Sequence, residues 1–352
     1  MISAELYLTV YLTAVTILTF ICCTTRPSKN LSKFLANIVC IAVILFIGLR
    51  PLSGKYFVDM GNYNEVYSIV EWNGFEYDTE NLLFDNLLAY MAGAEIDITM
   101  LFLLMAFIYF SGMLIACYKW FPNNVLLAFL VCLAAFSTFS YGTNGIKAGA
   151  AASIFLVALA YRDKLLIAIP LALISWGFHH SMQLPVAAYI ISILFKKISW
   201  YYVFWVTCLI LSIGHITLFQ TIFSGWTDEK GAGYLSQIDA DFVQHQGFRA
   251  DFVFYSIFPL IMGYYAVYEY NFKDKLYQVL LRTYTLTNAI WLLCMYAPYT
   301  NRIAYLSWFM YPILIIYPCM KKEGKNWALV SKQNLVVGLH LGFTLFMNIF
   351  YY

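Results

Sequence analysis

The dominant feature of the sequence is a recurrence of apolar runs of bilayer-spanning length, with most of the charge confined to the stretches between them. The hydrocarbon core of a membrane is about 30 Å thick, which an α-helix crosses in about 20 residues. Lipid offers the backbone no water to bond with, so such a run folds as a helix that satisfies its own N–H and C=O groups. The chain is 62% hydrophobic and 11% charged, whereas a soluble domain carries about 25% charged residues. So few charges cannot coat a water-facing surface. The pattern predicts an all-α polytopic membrane protein with about 12 transmembrane helices. They are expected at about residues 3–23, 35–52, 98–118, 124–141, 144–161, 164–178, 182–195, 199–219, 251–270, 277–297, 302–319 and 334–352. The short sixth and seventh runs, joined at His179–Ser181, suit a tilted or partly re-entrant pair. Little sequence is left for a soluble domain, so residues 1–352 read as a single integral membrane domain.

The connections alternate in charge. Fifteen of the 21 bases fall in one set, from Arg26, Lys29 and Lys33 to Lys321, Lys322, Lys325 and Lys332. The other set holds six: Arg50, Lys55, Lys147, Lys230, Arg249 and Arg302. Of the 19 acids, only Asp163, Glu269, Asp274 and Glu323 share the basic side. The positive-inside rule then puts both termini outside. One charge, Glu5, precedes the first bases, so the first run reads as a permanent helix rather than a cleaved leader.

The inner connections are too short for an ATPase or a nucleotide-sugar domain, and the sequence has no phosphate-cradling Gly-rich loop and no HExxH. A net charge of +2 excludes a nucleic-acid binder by bulk charge. The eight cysteines lie in or beside apolar runs, in neither a disulfide framework nor a zinc pattern.

Two long extracytoplasmic loops are expected, at about 53–97 and 220–250. Connections of this length are usually functional or unstructured. The first holds nine acids and one Lys, and its segment Asn81–Met91 is apolar at helical spacing, which predicts an interfacial or re-entrant helix. Asp59, Asn62, Tyr63, Tyr67, Trp72 and Trp226 are acids, amides and aromatics of the kind that read sugars.

The candidate site rests on the cations that break the charge rule. Arg50 ends the second helix, Lys147 opens the fifth, Arg249 precedes the ninth and Arg302 opens the eleventh. Ionisable groups near membrane depth are costly and mark function by default. Each could also snorkel to headgroups or pair with a neighbour, as Arg249 could with Asp251. Together, four outward cations suit an anion such as a lipid-linked diphosphate, which Arg grips bidentately and Lys as a point charge. His179, in the outward turn GFHHSM, is placed as a general base, and by spacing His180 is placed equally well. His215 and His340 fall inside apolar runs and read as core residues. Gly142, Gly145 and Gly149, with Ala148 and Ala150–Ala152, form a small-residue face that lets helices pack closely. The expected mid-membrane sections lack Asp and Glu, which disfavours an ion-coupled transporter.

At these same residues the chain resembles the EpsG family of bacterial exopolysaccharide polymerases, a Wzy-like group. The matching segments are GLRP followed by DMGNY (Asp59 to Tyr63), YGTNGIKAG, FHHSM, GFRADF and NRIAYLSWFM, in that order, over about residues 47 to 311. The resemblance implies a GT-C/Wzy-like glycosyltransferase of the bacterial inner membrane. Its substrate would be a polyprenyl-pyrophosphate-linked oligosaccharide, joined to another on the outer face. It also implies contact with membrane lipid and with partner flippase and chain-length regulator proteins. No metal or other cofactor is expected, because fixed cations can do the electrostatic work. The family carries Arg where this chain has Lys147, and Lys after its His where this chain has His180. The match thus favours His179 over His180.

The residues expected to act in catalysis are His179, Arg302 and Asp59. Those expected to bind substrate are Arg50, Lys147, Arg249, Asp251, Asn62, Tyr63, Asn144, His180 and Asn301. A ligase using the same chemistry, a lipid-linked oligosaccharide flippase and a membrane acyltransferase are the alternatives.

Overall fold

The computed structural model describes residues 2–74, 81–216, 247–297, 299–321 and 326–351. It is all-helical, 80% helix, with no strand among the described residues. Six of the described helices are long and apolar enough to cross a membrane: Ala4–Thr25, Lys29–Gly48, Ile98–Trp120, Ala250–Glu269, Thr300–Met320 and Gln333–Tyr351. Four shorter apolar helices accompany them. All eight cysteines are free thiols. Residues 217–246, which hold most of the second expected loop and Trp226, lie outside the described residues.

The helices group into two compact units. The first comprises residues 1–179 and 334–352. Its helices are α1 (Tyr7–Thr25), α2 (Lys29–Gly48), α3 (Val58–Asn73), α4 (Phe84–Gly93), α5 (Ile98–Trp120), α6 (Val125–Leu133), α7 (Thr138–Thr143), α8 (Ile146–Ala160) and α9 (Leu165–Phe178). The second comprises residues 180–333, with α10 (Gln183–Leu194), α11 (Ile198–Ile213), α12 (Ala250–Tyr264), α13 (Lys275–Leu293), α14 (Thr300–Trp308), α15 (Tyr311–Met320) and α16 (Trp327–Ser331). The last helix, α17 (Gln333–Phe346), belongs to the first unit from Asn334 on.

In the first unit α5 is the hub, packed against α2 and α8. It is apolar on every side, the pattern of a buried helix. Gly112 sets its approach to α8: a Cβ there would lie 2.8 Å from the Ser153 Cβ, so only a glycine fits. The Ser153 hydroxyl donates to the carbonyl of Ile108 on α5, and the Ser175 hydroxyl of α9 donates to Ala151 O on α8.

The expected helix at 124–141 is corrected to two pieces, α6 and α7, separated at 134–137. Apolarity alone does not betray such a break, because the freed carbonyls are satisfied by side chains from other helices. His340 Nε2 is 2.9 Å from the carbonyl of Val131. Thr138 Oγ1 donates to Cys132 O, the Tyr11 hydroxyl to Leu133 O and Thr344 Oγ1 to Ala134 O, at 2.7, 2.8 and 2.7 Å. Four successive carbonyls of a helix end, which would be expensive to bury bare, are thereby paired. His340 is a buried core residue, as its apolar surroundings predicted.

The second unit is built on α13, which packs against α10, α11 and α14. Its Thr283, Thr285, Thr287 and Asn288 are fully buried. Asn288 Oδ1 accepts from Trp205 Nε1 at 2.7 Å, and its Nδ2 donates to Ser256 Oγ and Ser307 Oγ at 3.1 and 3.0 Å. Trp308 Nε1 closes the network on Ser256 Oγ at 2.8 Å. Helices α11, α12, α13 and α14 are thus pinned in register by polar bonds, the glue of packed helices in an apolar medium. The expectation for His215 is corrected. α11 ends at Ile213, and His215 is exposed with φ +55°, stacked 4.1 Å from the Tyr296 ring.

Candidate active site

In the first unit a segment expected only as an interfacial helix contacts Tyr63, Lys147 and the end of the helix that precedes His179. The described residues of the 53–97 connection include α3 and α4. Asp59 sits in the first turn of α3, where a carboxylate complements the helix dipole, and Asn62 is exposed on the same helix. The Tyr63 ring meets the Phe84 ring edge-on, with centroids 5.6 Å apart. The start of α4 reaches three further elements. The Leu83 N–H donates to the carbonyl of Gly177 at 2.8 Å, two residues before His179. A Cβ at Gly177 would lie 2.8 Å from Leu83 Cγ, which accounts for the glycine in GFHHSM. Asp85 Oδ1 lies 3.8 Å from Lys147 Nζ, and the ammonium stands 5.7 Å over the Phe84 ring. Both members of the pair are partly exposed, at 17% for Lys147 and 25% for Asp85.

Arg50 is 2% exposed. Its Nη1 donates to Ile47 O at 2.8 Å and its Nη2 to Thr143 O at 2.6 Å, so one guanidinium closes the C-terminal ends of α2 and α7. The rings of Phe102 and Phe57 lie 4.8 and 5.4 Å from its Cζ. Arg50 Nε is buried without a hydrogen-bond partner. So is Oδ1 of Asn144, the residue after the one Arg50 holds. Buried polar atoms are rarely left unpaired, so the Arg50 Nε–H has a donor to spare and Asn144 Oδ1 an acceptor. His179 caps α9 in extended conformation (φ −149°, ψ 114°) and is half-buried.

In the second unit, His180 opens a 3-10 turn, His180–Met182, that leads into α10. Arg249 and Asp251 pair with each other at the start of α12, Nε to Oδ1 at 2.9 Å and Nη2 to Oδ2 at 2.5 Å. The Arg249 guanidinium also lies 3.7 Å from the Phe252 ring centroid, and its backbone N–H points at Met295 Sδ. Much of the Arg249 fork is therefore committed to Asp251. Asn301 and Arg302 are exposed at the first turn of α14. The Tyr299 ring lies 4.9 Å from the Arg302 guanidinium. That turn is fixed by Trp291 Nε1, which donates to Thr300 Oγ1 at 2.9 Å.

Sequence reasoning missed Asp85 and Phe84 as neighbours of Lys147. The signal was present: Asp85 is an acid within an apolar helical stretch, subject to the same rule that singled out the four cations. Among the described residues, no three His, Cys, Asp or Glu side chains come together to hold a metal ion.

No curated protein and no solved structure matches the chain significantly. The EpsG family profile matches residues 7–352, nearly the whole length and every segment on which the resemblance rested. The chain therefore belongs to the EpsG family and is a helical membrane protein of polysaccharide biosynthesis.

Proposed function

We propose that this protein is a polysaccharide polymerase that joins polyprenyl-diphosphate-linked oligosaccharide units on the outer face of the bacterial inner membrane, with about 12 crossings. The observation that carries the reading is the clustering around the start of α4. There Lys147, Tyr63 and the C-terminal end of α9, which His179 caps, are tied together through Phe84, Asp85 and Leu83. A cation, an aromatic platform and an imidazole are the parts that a diphosphate leaving group, a sugar ring and an attacking hydroxyl require.

In the proposed reaction a hydroxyl oxygen of the incoming unit attacks the anomeric carbon of the growing glycan. The bond from that carbon to the phosphate oxygen breaks, and polyprenyl diphosphate leaves with the electron pair. His179 takes the hydroxyl proton. Lys147 balances charge on the leaving diphosphate. Arg249 and Arg302, in the second unit, are each candidates for binding a diphosphate. Asn144 Oδ1 accepts from a sugar hydroxyl, and Asn62 and Tyr63 supply further sugar contacts. Asp59 and Asp251 orient their neighbours, Asp251 through its two bonds to Arg249. Arg50 acts through the turn that it holds at Thr143, which presents Asn144 and Lys147.

The test is to incubate purified protein with a lipid-linked oligosaccharide and no nucleotide. A ladder of products supports polymerisation. A single transfer to a different acceptor would make the protein a ligase, and no transfer with lipid translocation would make it a flippase.

A further inference from the structure

A cavity of about 390 Å³ opens in the second unit where α10 ends and α11 begins. Leu194, Phe195, Trp200, Phe204 and Leu286 give it apolar walls. Lys196 and Lys197 also line it, and no acid does. Neither lysine has an ion pair among the described residues. Lys197 Nζ stands 5.5 Å from the centroid of the Trp200 ring.

The turn that carries these lysines is firmly built. The Tyr201 hydroxyl donates to Phe195 O at 2.7 Å and Ile191 O at 3.3 Å. Arg282, buried on α13, donates from Nε to Ser192 O at 3.0 Å and from Nη1 to Lys196 O at 3.2 Å. Ser192 O lies in the last turn of α10, whose carbonyls lack intrahelical partners, and Phe195 O and Lys196 O lie just past its end. Satisfied from within the protein, they do not draw on the two ammonium groups. Arg282 also adds a third positive charge behind the turn. Positive charge with no acid, above a cleft lined by aliphatic and aromatic groups, matches one kind of molecule: a lipid with an anionic headgroup.

We propose that the α10–α11 turn is an anionic-lipid site, with the lipid phosphate at Lys196 and Lys197 and an acyl chain along Leu194, Trp200, Phe204 and Leu286. The turn belongs to the basic set of connections, and the leaflet on the cytoplasmic side is the anionic one. The proposal is independent of the polymerase reading.

The test uses the purified full-length protein, titrated with phosphatidylglycerol, phosphatidylcholine or inorganic phosphate, with retained lipid counted by native mass spectrometry. The expected result is a tightly held phosphatidylglycerol that the double variant Lys196→Gln/Lys197→Gln binds roughly thirtyfold more weakly, the loss of two lysine contacts at a membrane surface. Both lysines are exposed, so this variant keeps the parent melting temperature in lipid-free detergent. Leu286→Trp, which fills the cleft from α13, lowers lipid retention with the lysines intact. The assignment is overturned if parent and double variant retain equal lipid, if phosphatidylcholine is held as well as phosphatidylglycerol, or if inorganic phosphate displaces the lipid at matching concentration.

Discussion

Replacing Asp85 with Asn isolates the electrostatic role of Lys147, because the two shapes are nearly identical and only one charge is lost. At 3.8 Å, a unit charge pair interacts by about 4 kcal/mol with an effective dielectric of about 20. Most of that is cancelled, since both side chains are partly solvated and the separation is beyond hydrogen-bonding distance. A net value of about 1 kcal/mol is the appropriate scale for such a pair. If Lys147 receives a diphosphate, Asp85 competes for the ammonium and repels the ligand. Asp85→Asn should then tighten binding of polyprenyl diphosphate about fivefold. Lys147→Ala should weaken binding, and in the Lys147→Ala background the Asp85→Asn effect should shrink. The assay is a titration of polyprenyl diphosphate into detergent-solubilised protein at two salt concentrations, with melting temperature as the control for folding. A folded Asp85→Asn protein that bound the diphosphate equally or more weakly would refute the reasoning. The Lys147–Asp85 contact would then be a structural tie between α4 and α8 and nothing more.

Further expectations address the other parts. His179→Ala should cost between about a hundredfold and ten-thousandfold in turnover, the usual range for a general base, with substrate binding retained; a wild-type rate in a ladder assay would remove the residue from the chemistry. Arg50→Ala strips the donors from Ile47 O and Thr143 O and should cost about 3 kcal/mol, while Arg50→Lys recovers only part, as read from detergent melting curves. Equal stability of Arg50→Ala and the parent would mean that the guanidinium does not hold the α2 and α7 ends. Tyr11→Phe and Thr344→Val each leave one carbonyl at the α6 C-terminus bare and should each cost about 1 kcal/mol, with the double variant departing from additivity because the two carbonyls are consecutive; no change in melting temperature for either would contradict the capping account.

The membrane character and the helical class were legible in the sequence because both follow from local properties. A run of apolar residues has one way to satisfy its backbone in lipid, and that holds whatever surrounds it. The candidate residues were legible for a related reason: Arg50, Lys147, Arg249 and Arg302 are cations at helix ends on the side where bases are scarce. The partners were not legible. Whether Arg50 would face solvent or be buried depended on Thr143, 93 residues away, and the break after α6 depended on His340, 209 residues from the carbonyl that it meets. Asp85 came to Lys147 only because α4 docks against the end of α9 through Leu83 and Gly177. Local pattern fixes which segments become helix, since that free energy is settled within a few turns. Pairing of a buried donor with a distant acceptor is settled only when the helices pack, and that step decided which cations became struts and which stayed at the surface.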